Sequence, residues 1–315
     1  MSARAVALGA QILDILARPV THIPAGQGAA LIEQVRFAPA GWAAGTAVGM
    51  AKLGLEVASV GAIGDDLPGE LLVRMLESYR VDTRYLVRKQ GTATSVSILP
   101  IRPNGERPAL HLPGANLAFS IGDVPWTLLE TASYLHIGGN DVMRGLGRDG
   151  AVTIVRRAHE WGATTTMDML GEGSPRLLPL IAQALPFVDW FMPNAEQACR
   201  LTGAQTPQDA AARLLDGGAR GVVLTMGEQG SLLMTTHERV RLPAHRITVV
   251  DTSGCGDAYC AGFIRGLSLG WNARECMRLG NAAAALVAQG LGSDAGIVDL
   301  EETLRFMNTA PLVEG

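Results

Sequence analysis

The chain has 315 residues, 48% of them hydrophobic and 18% charged, with a formal net charge of −4, which is enough apolar material for a sizeable core. An acidic balance without any Lys/Arg-rich run excludes a nucleic acid or an anionic membrane surface as the main partner. The four cysteines, Cys199, Cys255, Cys260 and Cys276, make no CxxC pair and no matching histidine spacing, so a structural zinc site and a disulfide framework are excluded and a reducing, cytoplasmic setting is expected.

In chain order, Val6 to Leu16 reads as a buried first strand. It is not a signal-peptide core, because Gln11 and Asp14 interrupt it and no cleavage site follows. Ala29 to Phe37, bounded by Gly and Pro, is strand-like. A helix over Ala43 to Leu53 precedes a strand at Val57 to Val60. Ser95 to Leu99 and Ala109 to Leu112 are strands flanking the turn Arg102-Pro103-Asn104-Gly105. Tyr134 to Ile137 then precedes a helix over Ala151 to Trp161, which is followed by a strand at Thr164 to Met167. Further on come a strand at Val188 to Met192, a helix from about Asn194, another over Ala210 to Leu215 and a strand at Gly221 to Thr225. Helical spacing runs from Asp257 to Leu269, and a helix-rich stretch from Asn281 to about Met307. The apolar run Leu177 to Met192 carries Gln183, Pro186 and Asp189 and falls short of the roughly 18 residues a membrane span needs.

This alternation predicts βαβ units in a doubly wound, mostly parallel α/β sheet flanked by helices. The hairpin-like stretches leave that sheet and return to it, which predicts a small β lid, roughly residues 15–40 and 91–115, within one domain spanning 1–315.

The chemistry concentrates in Val250 to Phe263. A glycine-rich turn, Gly254-Cys255-Gly256, ends there in Asp257 at the start of an apolar-periodic helix. Turn glycines let backbone N–H groups approach an anion, the helix N-terminus adds partial positive charge, and a carboxylate beside them can accept a proton. On its own Asp257 reads as an ordinary N-cap. The run Asp251 to Asp257, Asp-Thr-x-Gly-x-Gly-Asp, resembles the signature of the ribokinase-like (PfkB) carbohydrate kinases. Gly61 to Leu72 is similar to that family's G-x-x-G-D-D-x-x-G segment, Thr225 to Gly230 to its T-x-G-x-x-G loop, and Asn281-Ala282-Ala283-Ala284 to the helix start flanking the adenine.

The resemblance implies in-line transfer of the ATP γ-phosphate to the hydroxyl of a small sugar. Asp257 would be the general base, kept ionised by its helix terminus, and Gly254, Cys255 and Gly256 the anion hole. Thr225, Gly227, Gly230 and Asn281 would border the nucleotide, and Mg2+ would ride on the phosphates. It further implies a monovalent-cation (K+) site at Asp251 and Ser253, reaching toward Ala288 to Ser293, and a homodimer through the lid. Asp14 matches the carboxylate that holds sugar hydroxyls. Pro113 to Phe119 resembles the G-A-N-A segment of ribose-acting members.

Four departures fall on the substrate and metal side. In Ala40-Gly41-Trp42-Ala43-Ala44-Gly45, Ala40 replaces a Gly and Gly45 the usual Asn, removing a sugar contact from a set that retains Gly41. Trp42 is either a stacking platform or packing. Asn140 stands where ribose-acting members have Glu. The usual Asn-x-x-Glu of the Mg2+ network becomes Asn194-Ala195-Glu196-Gln197, with Glu196 one residue early. Two alternatives stay open: a nucleoside kinase on the same fold, and a non-catalytic sugar- or nucleotide-binding regulator. There is no HExxH, Walker-type loop or G-x-S-x-G elbow. Cys255 and Cys260 read as small core or turn residues, with a lowered pKa for Cys255 at its helix N-terminus as the alternative.

Overall fold

A computed structural model of the chain describes residues 4–104, 106–139, 142–147, 149–169 and 173–314. The first strand expected from sequence is in fact two, β1 (Arg4–Gly9) and β2 (Ile12–Arg18), which belong to different sheets. Between them Gln11 is fully buried. Asn116 takes up both of its backbone groups, accepting from its N–H at 3.0 Å and donating to its carbonyl at 3.0 Å, while the Gln11 amide donates to Ser59 Oγ at 3.0 Å. This buried polar residue therefore marks the crossing between sheets.

β3 (Gln34–Ala40) returns antiparallel to β2 and leads into α1 (Ala44–Lys52), β4 (Glu56–Gly64), α2 (Leu67–Ser78) and β5 (Asp82–Lys89). Asp66 caps α2 through the Gly69 N–H at 3.1 Å and also accepts the Thr94 N–H at 2.9 Å, so the Gly-Asp-Asp turn ties the helix to the next lid segment. There β6 (Val96–Pro100) lies parallel to β2, and β7 (Leu110–Leu112) pairs antiparallel with β6. The lid is this four-stranded sheet, in the order β3-β2-β6-β7. β2 begins at Ile12, before the expected bound of 15, and β3 begins at Gln34 rather than Ala29, so 19–33 contains no strand.

The rest follows the expected alternation: α3 (Trp126–Leu129), β8 (Tyr134–Gly138), α4 (Gly150–Glu160), β9 (Thr164–Met167), α5 (Leu178–Ala184), β10 (Trp190–Phe191), α6 (Ala195–Thr202), α7 (Pro207–Asp216) and β11 (Gly221–Thr225). An antiparallel pair not expected from sequence, β12 (Ser231–Thr235) and β13 (Arg239–Leu242), extends the edge, before α8 (Cys255–Ser268), α9 (Ala273–Ala288) and α10 (Leu300–Thr309). The large sheet has nine strands in the order β13-β12-β11-β10-β9-β8-β1-β4-β5, and those from β5 across to β11 are parallel.

β1 shows how the sheet is buried on both faces. Val6 and Leu8 join a cluster with α4 and the 119–135 stretch, while Ala5 and Ala7 join the opposite cluster with α1 and α8. Alanine on that face lets the helices come close. Among the described residues no helix is long and apolar enough to cross a membrane.

Candidate active site

Strand order reverses at β1: the chain builds outward to β4 and β5 on one side and to β8 and beyond on the other. In an open α/β sheet the crevice at such a switch point, beyond the carboxyl ends of the strands, is where ligands bind. A cavity of about 400 Å3 opens there. Its floor carries Asp168 and Met169 after β9, Met192 and Asn194 after β10, and Thr225 at the end of β11; its roof is Asp14, Ala40, Ser97, Leu99 and Arg107 from the lid; the first turn of α8 forms its end wall.

Asp257 sits in that wall and is buried. It is not the N-cap, because that place is taken by Gly254 in the left-handed conformation, φ 74°, where a side chain would run into Ser293. The carboxylate also lies against Gly45 in the first turn of α1, so close that a Cβ on Gly45 would collide with it. Two helix N-termini thus converge on one carboxylate. The expectation that a helix terminus keeps it ionised is corrected. Burial, then the charges of Asp168 and Asp14, push its pKa well above the usual carboxylate range, with Arg107 opposing. The magnitudes agree with that order, since a helix terminus contributes about 0.3–1 kcal/mol, rising to ~2 in a partly buried site, against shifts of up to about 3–5 units for full burial.

Asp14, on β2, is likewise pushed up to about 6 by burial, while a Ser97 hydrogen bond and Arg107 hold it down. Ser97 Oγ is also 3.0 Å from His111 Nδ1. With the hydroxyl proton on Asp14, the imidazole Nδ1–H is the donor to Ser97. Gly41 and Trp42 line the cavity, and the indole packs against Gly138 and Gly139. Gly45 does not line the cavity; it makes room for Asp257. Asn140 lies outside the described residues.

A second cavity, of about 380 Å3, shares Thr225 and Thr252 with the first and continues past Gly227, Gly230, Cys255 and Asn281 toward Ala284, Ala285 and Ala288. The sequence grouping of Thr225, Gly227, Gly230 and Asn281 is therefore real in space. Asn281 is not at a helix start, however, but midway along α9, with its Nδ2 donating to the Pro243 carbonyl at 3.2 Å. For Cys255 the low-pKa alternative is corrected: burial, with the Asp251 charge adding, pushes its thiol up to about 12.

Asp251 is buried, and one carboxylate oxygen accepts from the Ser253 N–H and Oγ–H at 2.9 and 2.8 Å, the other from the Gly292 N–H at 2.9 Å. Asp251 and Ser253 thus do meet the 288–293 stretch. Asn194 and Gln197 form a reciprocal cap, with each backbone N–H donating to the other's side-chain oxygen at 3.0 and 2.8 Å. Gln197 Nε2 further donates to the Met169 carbonyl at 3.2 Å, a bond that a Glu carboxylate could not make. Glu196 instead projects outward and pairs with Arg200 at 2.6 Å. Among the described residues no cluster of three or more His, Cys, Asp or Glu could hold a metal ion.

Sequence reasoning missed Asp168 and Arg107. Asp168 follows a strand whose bounds were legible, so the strand-end rule could have found it. Arg107 belongs to no motif; it reaches from the lid to Thr252 Oγ1 at 3.2 Å and lies 3.9 Å from Asp251.

Comparison with known proteins places these features in context. The pfkB family carbohydrate kinase model matches residues 2–299. The chain is 28% identical to the aminoimidazole riboside kinase of Salmonella typhimurium over 289 residues, 88% of this chain and 90% of that one. Among solved structures, Arabidopsis thaliana ribokinase complexed with ribose and ATP superposes with a TM-score of 0.84 at 23% identity, covering 98% of this chain and 99% of that one. Adenosine kinase from Sinorhizobium meliloti superposes with a TM-score of 0.83 at 26% identity, covering 96% and 98%.

Proposed function

The chain belongs to the pfkB family of carbohydrate kinases, and from that premise we propose that it transfers the γ-phosphoryl group of ATP to a hydroxyl of a small, furanose-type sugar or riboside, with Asp257 as the base. That it is an ATP-dependent kinase of the sugar and nucleoside class follows from the family. The observation that carries the finer reading is the meeting of the two cavities. One is walled by carboxylates and the other by small helix-face residues, and they join at Thr225, Thr252 and the turn that ends in Asp257.

In this reading the acceptor lies under the lid with its hydroxyls on Asp14, and the nucleotide base lies against α9. Asp257 takes the proton from the attacking hydroxyl as its oxygen bonds to the γ-phosphorus and ADP leaves. The first-turn N–H groups of α8 have no carbonyl partner within the helix, and at Gly254 and Gly256 no side chain stands between backbone and cavity; they stabilise charge on the transferred group. A raised pKa suits Asp257 to accept a proton near neutrality.

The donor set facing the junction is all oxygen, which fits Mg2+; Asp168 and Asn194 are the cavity groups that would hold it, directly or through water, with Glu196 turned away. When bound it neutralises phosphate charge. The Asp251, Ser253 and 288–293 cluster suits a monovalent cation such as K+, which would fix the turn that carries the anion hole.

A nucleoside acceptor is the second reading. It is favoured by Trp42, Met169 and Met192, which together give the first cavity an apolar wall suited to a planar base.

The whole chain, on this reading, is one catalytic unit of the cytoplasm that pairs with a second copy through the lid. The outer lid face presents a row in pairing register, Phe37, Ile15, Ile98 and Leu110, with Phe37, Ile98 and Leu110 43%, 45% and 65% exposed.

The test is ADP release over sugars, sugar acids, sugar phosphates and nucleosides, with and without potassium, for the wild type and Asp257→Asn. The substitution should lower kcat by about 10²–10⁴-fold. Turnover untouched by it overturns the mechanism.

A further inference from the structure

The second cavity has a wall that no motif accounts for. The segment after α10 turns back onto the stretch 244–246: the Arg246 N–H donates to the Pro311 carbonyl at 2.8 Å, the Val313 N–H to the Ala244 carbonyl at 2.9 Å, and His245 pairs with Leu312 in an antiparallel bridge. Arg246 also meets Glu314 at 3.2 Å. His245 is buried between them. Its ring lies 4.9 Å from that of Phe306 on α10, it is hydrogen-bonded to the backbone of Ala310, and burial keeps it neutral. Val313 ends up lining the cavity opposite the small face of α9, Ala284, Ala285 and Ala288.

We propose that segment 311–314 is a fixed wall of the nucleotide-base site, and that Val313 sets how wide a base that site accepts. This rests on reading the second cavity as the nucleotide site. The geometry favours a base over phosphates at that end, because Val313, Val249, Ile247 and the α9 alanines offer apolar contact, whereas the glycine turn that opens α8, Gly254 to Gly256, lies at the junction with the first cavity. None of residues 311–314 lines the first cavity, so acceptor binding lies outside the reach of this wall.

The experiment compares the full chain with Val313→Trp, Val313→Ala and a chain ending at Ala310. It measures Kd for ATP and for inorganic tripolyphosphate by calorimetry, KM for ATP and for the acceptor, and the melting temperature. Filling or removing the wall should weaken ATP by about tenfold, with Val313→Ala weakening it by about threefold, while tripolyphosphate Kd and acceptor KM stay unchanged. Equal ATP affinity in Val313→Trp and Val313→Ala overturns the proposal even if the shortened chain fails to fold. Equal losses for ATP and tripolyphosphate overturn it too, since they would report general damage to the site. Failure of the wild type to bind ATP overturns the nucleotide reading itself, a result distinct from either.

Discussion

Asp14 and Asp257 are both carboxylates whose burial works against ionisation, and they respond to acid in ways that can be separated. Asp14 is pushed up to about 6, so it gains a proton as pH falls through that value and loses strength as a hydroxyl acceptor. The acceptor KM should therefore be flat at higher pH and rise below about 6. Ser97 holds the pKa down, so in Ser97→Ala the rise should begin at a higher pH, and the limb of kcat that reports Asp257 should move by less, since the Asp14 charge is only one of the causes acting on Asp257. An unchanged midpoint for acceptor KM would show that Ser97 does not tune Asp14. The same raised pKa acts on stability. The folded state binds the extra proton, so this contribution is fully present below the unfolded value and is lost as pH rises through about 6. By the same sign, Asp257→Asn should melt at a higher temperature than the wild type while losing turnover, since it removes a buried charge. The sequence identified both carboxylates from their motifs. It misjudged the ionisation of Asp257, because burial by segments distant in sequence, with the Asp168 charge adding, outweighs the helix terminus that local sequence makes visible.

At the scale of elements, α1 packs closely on α8. A Cβ on Gly49 would stand 2.7 Å from the Ala261 Cβ, and one on Gly45 would meet the Asp257 carboxylate. The glycine at 45 is thus a packing requirement. Gly45→Ala should cost on the order of 1–3 kcal/mol of stability by overpacking, read as a lower melting temperature, and lower kcat further by displacing Asp257. A variant with unchanged kcat would mean that the carboxylate has slack the structure does not show. Local patterning made β9, β11 and the helices after β8 and β10 readable, since each has its own period and punctuation. It could not show that one apolar run from Val6 to Leu16 crosses between two sheets, because periodicity is blind to a partner 105 residues away such as Asn116. That the 281–288 alanines continue a helix begun at Ala273 was missed, although Asn272 caps it through the Glu275 N–H in a pattern the sequence carries.

For the whole molecule, the lid is both roof and outer surface. Its inner face carries Asp14 and Ser97, and its outer face the apolar row through Phe37 and Ile98. If that row is the dimer contact, Phe37→Glu with Ile98→Lys should give a monomer by light scattering at concentrations where the wild type is dimeric; a wild type that is monomeric throughout rejects the contact. Where the lid meets the large sheet, Asn116 holds both backbone groups of Gln11, standing in for a neighbouring strand, and the chain has no slack there. The crossing is not the lid's single tie: Arg36 on β3 donates to Asp294 at 2.9 Å, and Ser293 Oγ–H donates to the Pro39 carbonyl at 2.6 Å. Asp14 lies three residues beyond Gln11 and pairs in register with Ala38, next to that second tie. Arg107, in the loop after β6, reaches Thr252 through its side chain alone. The lid thus presents to the cleft a carboxylate braced from two sides and a cation carried on a loop.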